Sequence, residues 1–406
     1  MYLQLSQTFT ALKYRNFRLW FSGQMVSLIG TWMQATAQSY LLFELTGSPM
    51  MLGIAGFASG VPIWLFSLYS GLISDRFSRK KVILFTQSSM MLLGFILAIL
   101  AFTNTVKPWH IIILAFLLGT ANAFDAPARQ SFVVDMVPKE DLTNAIALNS
   151  SVFNLGTIVG PSAAGLIYAW LGPGWCFTIN GISFLGVIGA LIMMNVPRRQ
   201  MTVQRKSPFT DLQEGLRFAV GHMEIRFLLI NLAAVAIFSF SLLTLMPDWA
   251  NTVLGGDVTT NGLLLSARGA GSLVAALMIA NLGSRVIRGK IWTIGGFVMP
   301  FAIFLLGSFK VLPVSMAALV ILGWSLMSVI NITNALIQTH VPDHLRGRVM
   351  SIYILVFQGS YPLGALLVGW LAGLYGSPFT IILCGVIMMV IFVSINLIHP
   401  PIRKFN

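Results

Sequence analysis

Three charged side chains are the first candidates for chemistry in this sequence. Asp125 and Arg129 stand four residues apart with the acid N-terminal, the spacing and order that pair opposite charges on one helix face. Such a pair suits a gate or a structural network, and Asp125 is the first candidate to carry a proton, with Asp248 and Glu44 next. Arg268 stands in a long apolar run with no acid within one helical turn. A partner on another helix, or an anionic substrate, has to compensate it. Gln34 and Gln38 share a helix face, and Asn331, Asn334 and Gln358 lie in other apolar runs. Amides of this kind hydrogen-bond a polar ligand but carry no proton. Phe124, Trp324, Tyr353 and Tyr361, with Met193, Met194 and Met327, add the aromatic and thioether surface of an adaptable cavity for large amphipathic molecules.

The elements holding these residues follow from composition. Of 406 residues, 56% are hydrophobic and 9% are Asp, Glu, Lys or Arg, against about 25% charged in soluble domains. Apolar runs of about 20 residues without strict alternation predict membrane-spanning helices rather than barrel strands. Twelve such runs are expected, at 18–45, 49–73, 81–104, 109–135, 144–171 and 174–196, then 226–250, 259–282, 291–309, 313–340, 347–374 and 377–398. The polar stretch between the two sets divides the chain into a bundle at 1–196, a cytoplasmic linker at 197–224 and a second bundle at 225–406. Arg268 then lies about nine residues into its span, some 14 Å deep at ~1.5 Å per residue. A charge at that depth costs several kcal/mol and marks a functional site by default.

The halves resemble each other. VPKEDLTNAIAL and VPDHLRGRVMSI follow the fourth and tenth runs, and Arg76, Arg79 and Lys81 match Arg285, Arg288 and Lys290 in spacing. An offset near half the chain length implies a duplicated six-helix unit. With an even number of spans per unit, the copies are related by a pseudo-twofold axis along the membrane normal. The formal net charge of +13 reflects this topology. Its basic residues fall almost entirely on the side of both termini, the opposite side holding Lys107 and Lys310, which places both termini in the cytoplasm. Nucleic acid is therefore not an expected partner.

Enzyme signatures are missing: the sequence has no HExxH, no GxSxG and no suitable phosphate loop. Cys176 and Cys384, each inside an apolar run, form no metal or disulfide framework. No cofactor or metal is expected.

Three segments carry a family resemblance. The connection after the second run, GLISDRFSRKK, from Gly71 through Asp75, Arg76, Arg79 and Lys80 to Lys81, resembles the major facilitator superfamily signature between helices two and three. Ser78 stands where that family carries glycine. The resemblance implies that Asp75 meets the N-terminal end of helix eleven and closes a cytoplasmic gate, with Asp135 able to join it through Arg76 or Arg79. In the fifth run, GTIVGPSAAG, containing Gly156, Gly160, Pro161 and Gly165, resembles the superfamily's antiporter signature. Its small residues are expected to pack against SARGAGS, Ser266 to Ser272, at the seam between halves. FDAPARQSFVVDMVP and YRNFRLWFSG resemble the drug:proton antiporter-like branch that includes macrolide efflux and enterobactin-type siderophore exporters.

The resemblance implies a secondary transporter of the bacterial inner membrane, exporting a small amphipathic organic compound by alternating access. A proton is the expected coupling ion, the lipid bilayer the expected environment, and a monomer the expected state. A lysophospholipid flippase of the same fold and a non-transporting receptor or scaffold are the alternatives.

Overall fold

The computed structural model describes residues 9–196, 208–282 and 288–398, with the side chains of 67–68, 70–76, 208–212 and 282 outside the description. Among the described residues all regular secondary structure is helical. The first half comprises α1 (Arg15–Thr46), α2 (Pro49–Arg76), α3 (Arg79–Phe102), α4 (Pro108–Phe132), α5 (Leu142–Leu171) and α6 (Pro173–Met193). The second comprises α7 (Met223–Val253), α8 (Val258–Leu282), α9 (Arg288–Ser308), α10 (Leu312–His340), α11 (Asp343–Tyr375) and α12 (Ser377–Ile398).

Eleven of these helices are long and apolar enough to cross a membrane. The twelfth, α1, is the exception because Gln24, Gln34, Gln38 and several hydroxyls interrupt its apolar residues. Those amides are buried against protein. Such groups are tolerated in a spanning helix when they face its neighbours.

Sequence chemistry sets the breaks. Pro108 and Pro173 open α4 and α6 at their first positions, where a missing N–H leaves no helical bond unmade. Gly172 and Gly376 take φ values of 89° and 82°, a region that favours glycine, and they reverse the chain at equivalent points of the two halves. α7 is irregular, with π turns at Ala236–Phe240 and Trp249–Val253 around a 3-10 stretch at Ser241–Leu245.

The packing repeats with an offset of six helices. α1 packs on α5 and α6, α2 on α4, and α3 on α4 and α6. In the second half α7 packs on α11 and α12, α8 on α10, and α9 on α10 and α12. Across the seam, α5 meets α8 and α2 meets α11, the same contact repeated. This is the twofold arrangement expected from the duplication.

Within the polar central stretch, Pro208–Gly221 is an amphipathic helix lying on α11. Glu214 pairs with Arg348, and Gly215 abuts the Arg348 backbone. Residues 197–207 lie outside the described residues.

Candidate functional site

The seam between the halves is built from small residues. A Cβ on Gly262 would stand 2.4 Å from the Pro161 carbonyl oxygen, and one on Gly165 would stand 2.9 Å from the Thr259 Cα. Gly269 faces the Thr157 carbonyl, where a Cβ would come to 2.6 Å. The Ser266 hydroxyl donates to the Ile158 carbonyl at 2.6 Å and lies 2.7 Å from the Ser162 hydroxyl. On the other side of the seam, a Cβ on Gly60 would collide with Pro362 at 2.1 Å, and Gly53 lies against Gly369. Asn251 Nδ2 reaches the Tyr40 hydroxyl at 3.4 Å. Close backbone approach is how helices associate where no hydrophobic effect drives them together.

The fifth-helix motif divides between two neighbours. Pro161 and Gly165 meet α8 at Gly262 and Thr259, ahead of the Ser266–Ser272 run, whereas Gly156 and Gly160 meet α1. A Cβ on Gly160 would lie 2.5 Å from the Trp32 Cβ, and one on Gly156 would lie 3.0 Å from the Trp32 Cδ1. Moving one residue along a helix of 3.6 residues per turn rotates the side chain by about 100°. The Gly156–Gly160 stripe and the Pro161–Gly165 stripe therefore cannot share a face. The first glycine pair makes room for an indole.

That indole faces the isolated cation. The Arg268 guanidinium carbon lies 5.9 Å from the Trp32 ring centroid, within cation–π range. Arg268 is 7% exposed and its Nε has no hydrogen-bond partner. Among the described residues no acid pairs with it. Its backbone is fixed on α10: a Cβ on Gly323 would stand 2.0 Å from the Arg268 carbonyl oxygen, and the Ser272 hydroxyl donates to the Gly323 carbonyl at 3.2 Å. The rigid α8–α10 contact thus aims one uncompensated positive charge at the seam.

The other charged pair has its countercharge beside it. Asp125 is completely buried, and its Oδ2 lies 2.6 Å from Arg129 Nε. Its Oδ1 accepts from the Thr86 hydroxyl at 2.7 Å and from Gln87 Nε2 at 3.1 Å, while Arg129 Nη1 donates to Gln24 Oε1 at 3.3 Å. The spacing identified the pair; Thr86 and Gln87 had no signal in the sequence because they come from α3.

At the mouth of the same half, Arg79 Nη1 pairs with Asp135 at 2.8 Å and donates to the Ser131 carbonyl, and Lys80 donates to the Met194 carbonyl. Ser78 caps this connection with a φ of −58°, so the turn needs no glycine there. The side chains of Gly71, Asp75 and Arg76 lie outside the described residues. Nearby, the Asp141 carboxylate at 2.8 Å holds the Lys13 ammonium above its ordinary pKa.

The amides distribute differently from one shared face. Gln34 accepts from Asn180 of α6 at 2.7 Å, and Gln38 Nε2 reaches the Ile111 carbonyl of α4 at 3.5 Å. Both are tied within the first half. Asn331 is half-buried and Gln358 exposed, and Asn334 Oδ1 accepts from Gln338 at 2.6 Å. Of the remaining acids, Glu44 accepts from the Tyr168 hydroxyl and Asp248 from the Ser377 hydroxyl. Trp32 is the residue that sequence reasoning passed over, since a tryptophan in an apolar helix looks like any other.

Known proteins share this architecture. Residues 6–405 match the model of the family described as "Transmembrane secretion effector". The chain is 26% identical to the staphyloferrin A transporter of Staphylococcus aureus, covering 91% of this chain and 92% of that protein. It is 26% identical to macrolide efflux protein A of Streptococcus pyogenes over 97% of this chain and 99% of that one. With the enterobactin exporter of Salmonella paratyphi A the identity is 24%, over 96% and 94%. Among solved structures, an inward-facing, unoccupied bacterial homolog of the human lysosomal transporter Spinster superposes with a TM-score of 0.73 at 14% identity, covering 96% of this chain and 97% of that chain. A nucleoside transporter superposes with a TM-score of 0.78 at 13% identity, covering 94% and 98%. The match over nearly the full length, joined to the repeated six-helix packing, means that this multi-pass membrane protein belongs to the "Transmembrane secretion effector" family of major facilitator transporters.

Proposed function

We propose that the protein exports a small amphipathic organic compound carrying a negative charge, of the siderophore-like or drug class, by alternating access. The observation that carries this reading is the buried, unpaired Arg268 guanidinium against Trp32 at the seam. An uncompensated charge inside a membrane protein is expensive, and a bound anion that completes it recovers that energy. The indole face adds a platform for the apolar part of the same molecule. The names of the relatives support export of a small organic compound, since they include a staphyloferrin A transporter, a macrolide efflux protein and an enterobactin exporter.

In this reading residues 1–196 and 225–406 rock about the seam, joined by 197–224, in a bacterial inner membrane with both termini cytoplasmic. Arg79 and Asp135 belong to the cytoplasmic gate with Gly71, Asp75, Arg76 and Lys80. Asp125 carries the coupling proton, exchanging it as Arg129 moves toward or away. The working unit is a monomer.

The test is flux in proteoliposomes against a panel of anionic, neutral and cationic amphipaths. Gradient-driven movement of anionic compounds, lost in Arg268→Gln and retained in part in Arg268→Lys, is the expected result. Undiminished transport of the anionic compounds by Arg268→Gln would overturn the anion reading. Binding without flux would favour a receptor. An Asp125→Asn variant is expected to bind substrate yet lose its response to a pH gradient; unchanged coupling would remove Asp125 as proton carrier.

A further inference from the structure

A second site lies on the flank of the first half, away from the seam. A groove of about 590 Å³ runs between α3 and α4. Phe85 and Leu92 of α3 and Leu117, Ala121 and Phe124 of α4 form its walls. The wall residues Phe85 and Leu92 are 76% and 60% exposed, so the groove opens sideways, where the bilayer lies. Lys81 and Phe77 line one end. Lys81 is exposed, and among the described residues no acid pairs with it, whereas its neighbours Arg79 and Lys80 are engaged by Asp135 and the Met194 carbonyl.

We propose that this groove is a binding site for one anionic phospholipid of the leaflet on the basic side, with an acyl chain along α3 and α4 and the phosphate on Lys81. Three observations converge on that occupant. From Lys81 to Leu93 the lined part of α3 is about 18 Å long at ~1.5 Å per residue, close to the hydrocarbon depth of one leaflet, about half of 30 Å. The walls are mostly apolar over that length, and Lys81, the cation among the described lining residues, sits toward the end where a head group belongs, a basic pocket of the kind that holds anionic lipids. A lysine stem also lies readily along acyl chains while its ammonium reaches the interface. The lining residues do not include Arg268 or Trp32, so the groove is distinct from the proposed substrate site. Thr86 lines the groove and donates to Asp125 Oδ1 at 2.7 Å, which sets the lipid one hydrogen bond from the buried ion pair.

Native mass spectrometry of the full-length protein, titrated with phosphatidylglycerol or phosphatidylcholine of matched chains, tests the assignment. Wild type is expected to retain one phosphatidylglycerol at a concentration several-fold below phosphatidylcholine. Lys81→Gln is expected to abolish that preference, and Ala121→Trp to reduce retention of both lipids by filling the groove. Thr120→Trp provides a second plug should Ala121→Trp fail to fold. Lys310→Gln, on the opposite side, is expected to change nothing. Undiminished phosphatidylglycerol preference in Lys81→Gln, or unchanged retention in both plugged variants, would overturn the site. So would displacement of the lipid by a transported compound at equal concentration, since the groove would then belong to the substrate path.

Discussion

Trp32 on α1 and Arg268 on α8 meet across the seam between halves, 5.9 Å from guanidinium carbon to ring centroid. Because the two residues belong to different bundles, any rocking of one against the other changes this contact. Replacing Trp32 with Ala removes a cation–π interaction of about 0.5–2 kcal/mol. The expected outcome is a few-fold to about thirty-fold weaker binding of an anionic amphipath, with Trp32→Phe closer to wild type; equilibrium binding to purified protein provides the measurement.

The Gly156–Gly160 stripe holds Trp32 in place. A methyl group at Gly160 would press on the Trp32 Cβ at 2.5 Å, an overpacking expected to cost about 1–3 kcal/mol. Gly160→Ala should lower thermal stability and loosen the Trp32–Arg268 contact, seen as a change in intrinsic tryptophan emission. Gly165→Ala, facing Thr259 of the other half, should instead separate the ends of α5 and α8. Distances between spin labels on those two helices distinguish the cases.

Asp125 and Arg129 are coupled, the acid fully buried and the pair 2.6 Å apart. Removing one member of a buried pair strands the other, at about 3–5 kcal/mol. Asp125→Ala is therefore expected to destabilise the protein strongly, while Asp125→Ala combined with Arg129→Gln recovers a substantial part. Thermal melts of the two singles and the double, read as a cycle, give the coupling directly.

Arg79 and Asp135, at 2.8 Å and with side chains 22% and 14% exposed, join the start of α3 to the 3-10 turn that follows α4. Asp135→Ala is expected to cost about 1–2 kcal/mol, the range of a partly exposed charged hydrogen bond discounted for screening. Hydrogen exchange at the first turn of α3 should rise in this variant, with the far end of the bundle unaffected.

Much of this protein is legible along the chain because the bilayer leaves few choices. Apolar runs of sufficient length must become helices, and two matching sets of six must pack alike. The Asp125–Arg129 pair was readable for the same reason, as four residues on a helix fix a shared face. Contacts between helices were not readable in this way. That Gly156 and Gly160 serve Trp32 while Pro161 and Gly165 serve α8 depends on which neighbour stands at each rotation of α5. Gln34 turning to Asn180, and Arg268 finding an indole instead of an acid, were likewise decided by helix rotation and partner. Local spacing determines which residues share a helix face, and only tertiary packing determines what that face meets.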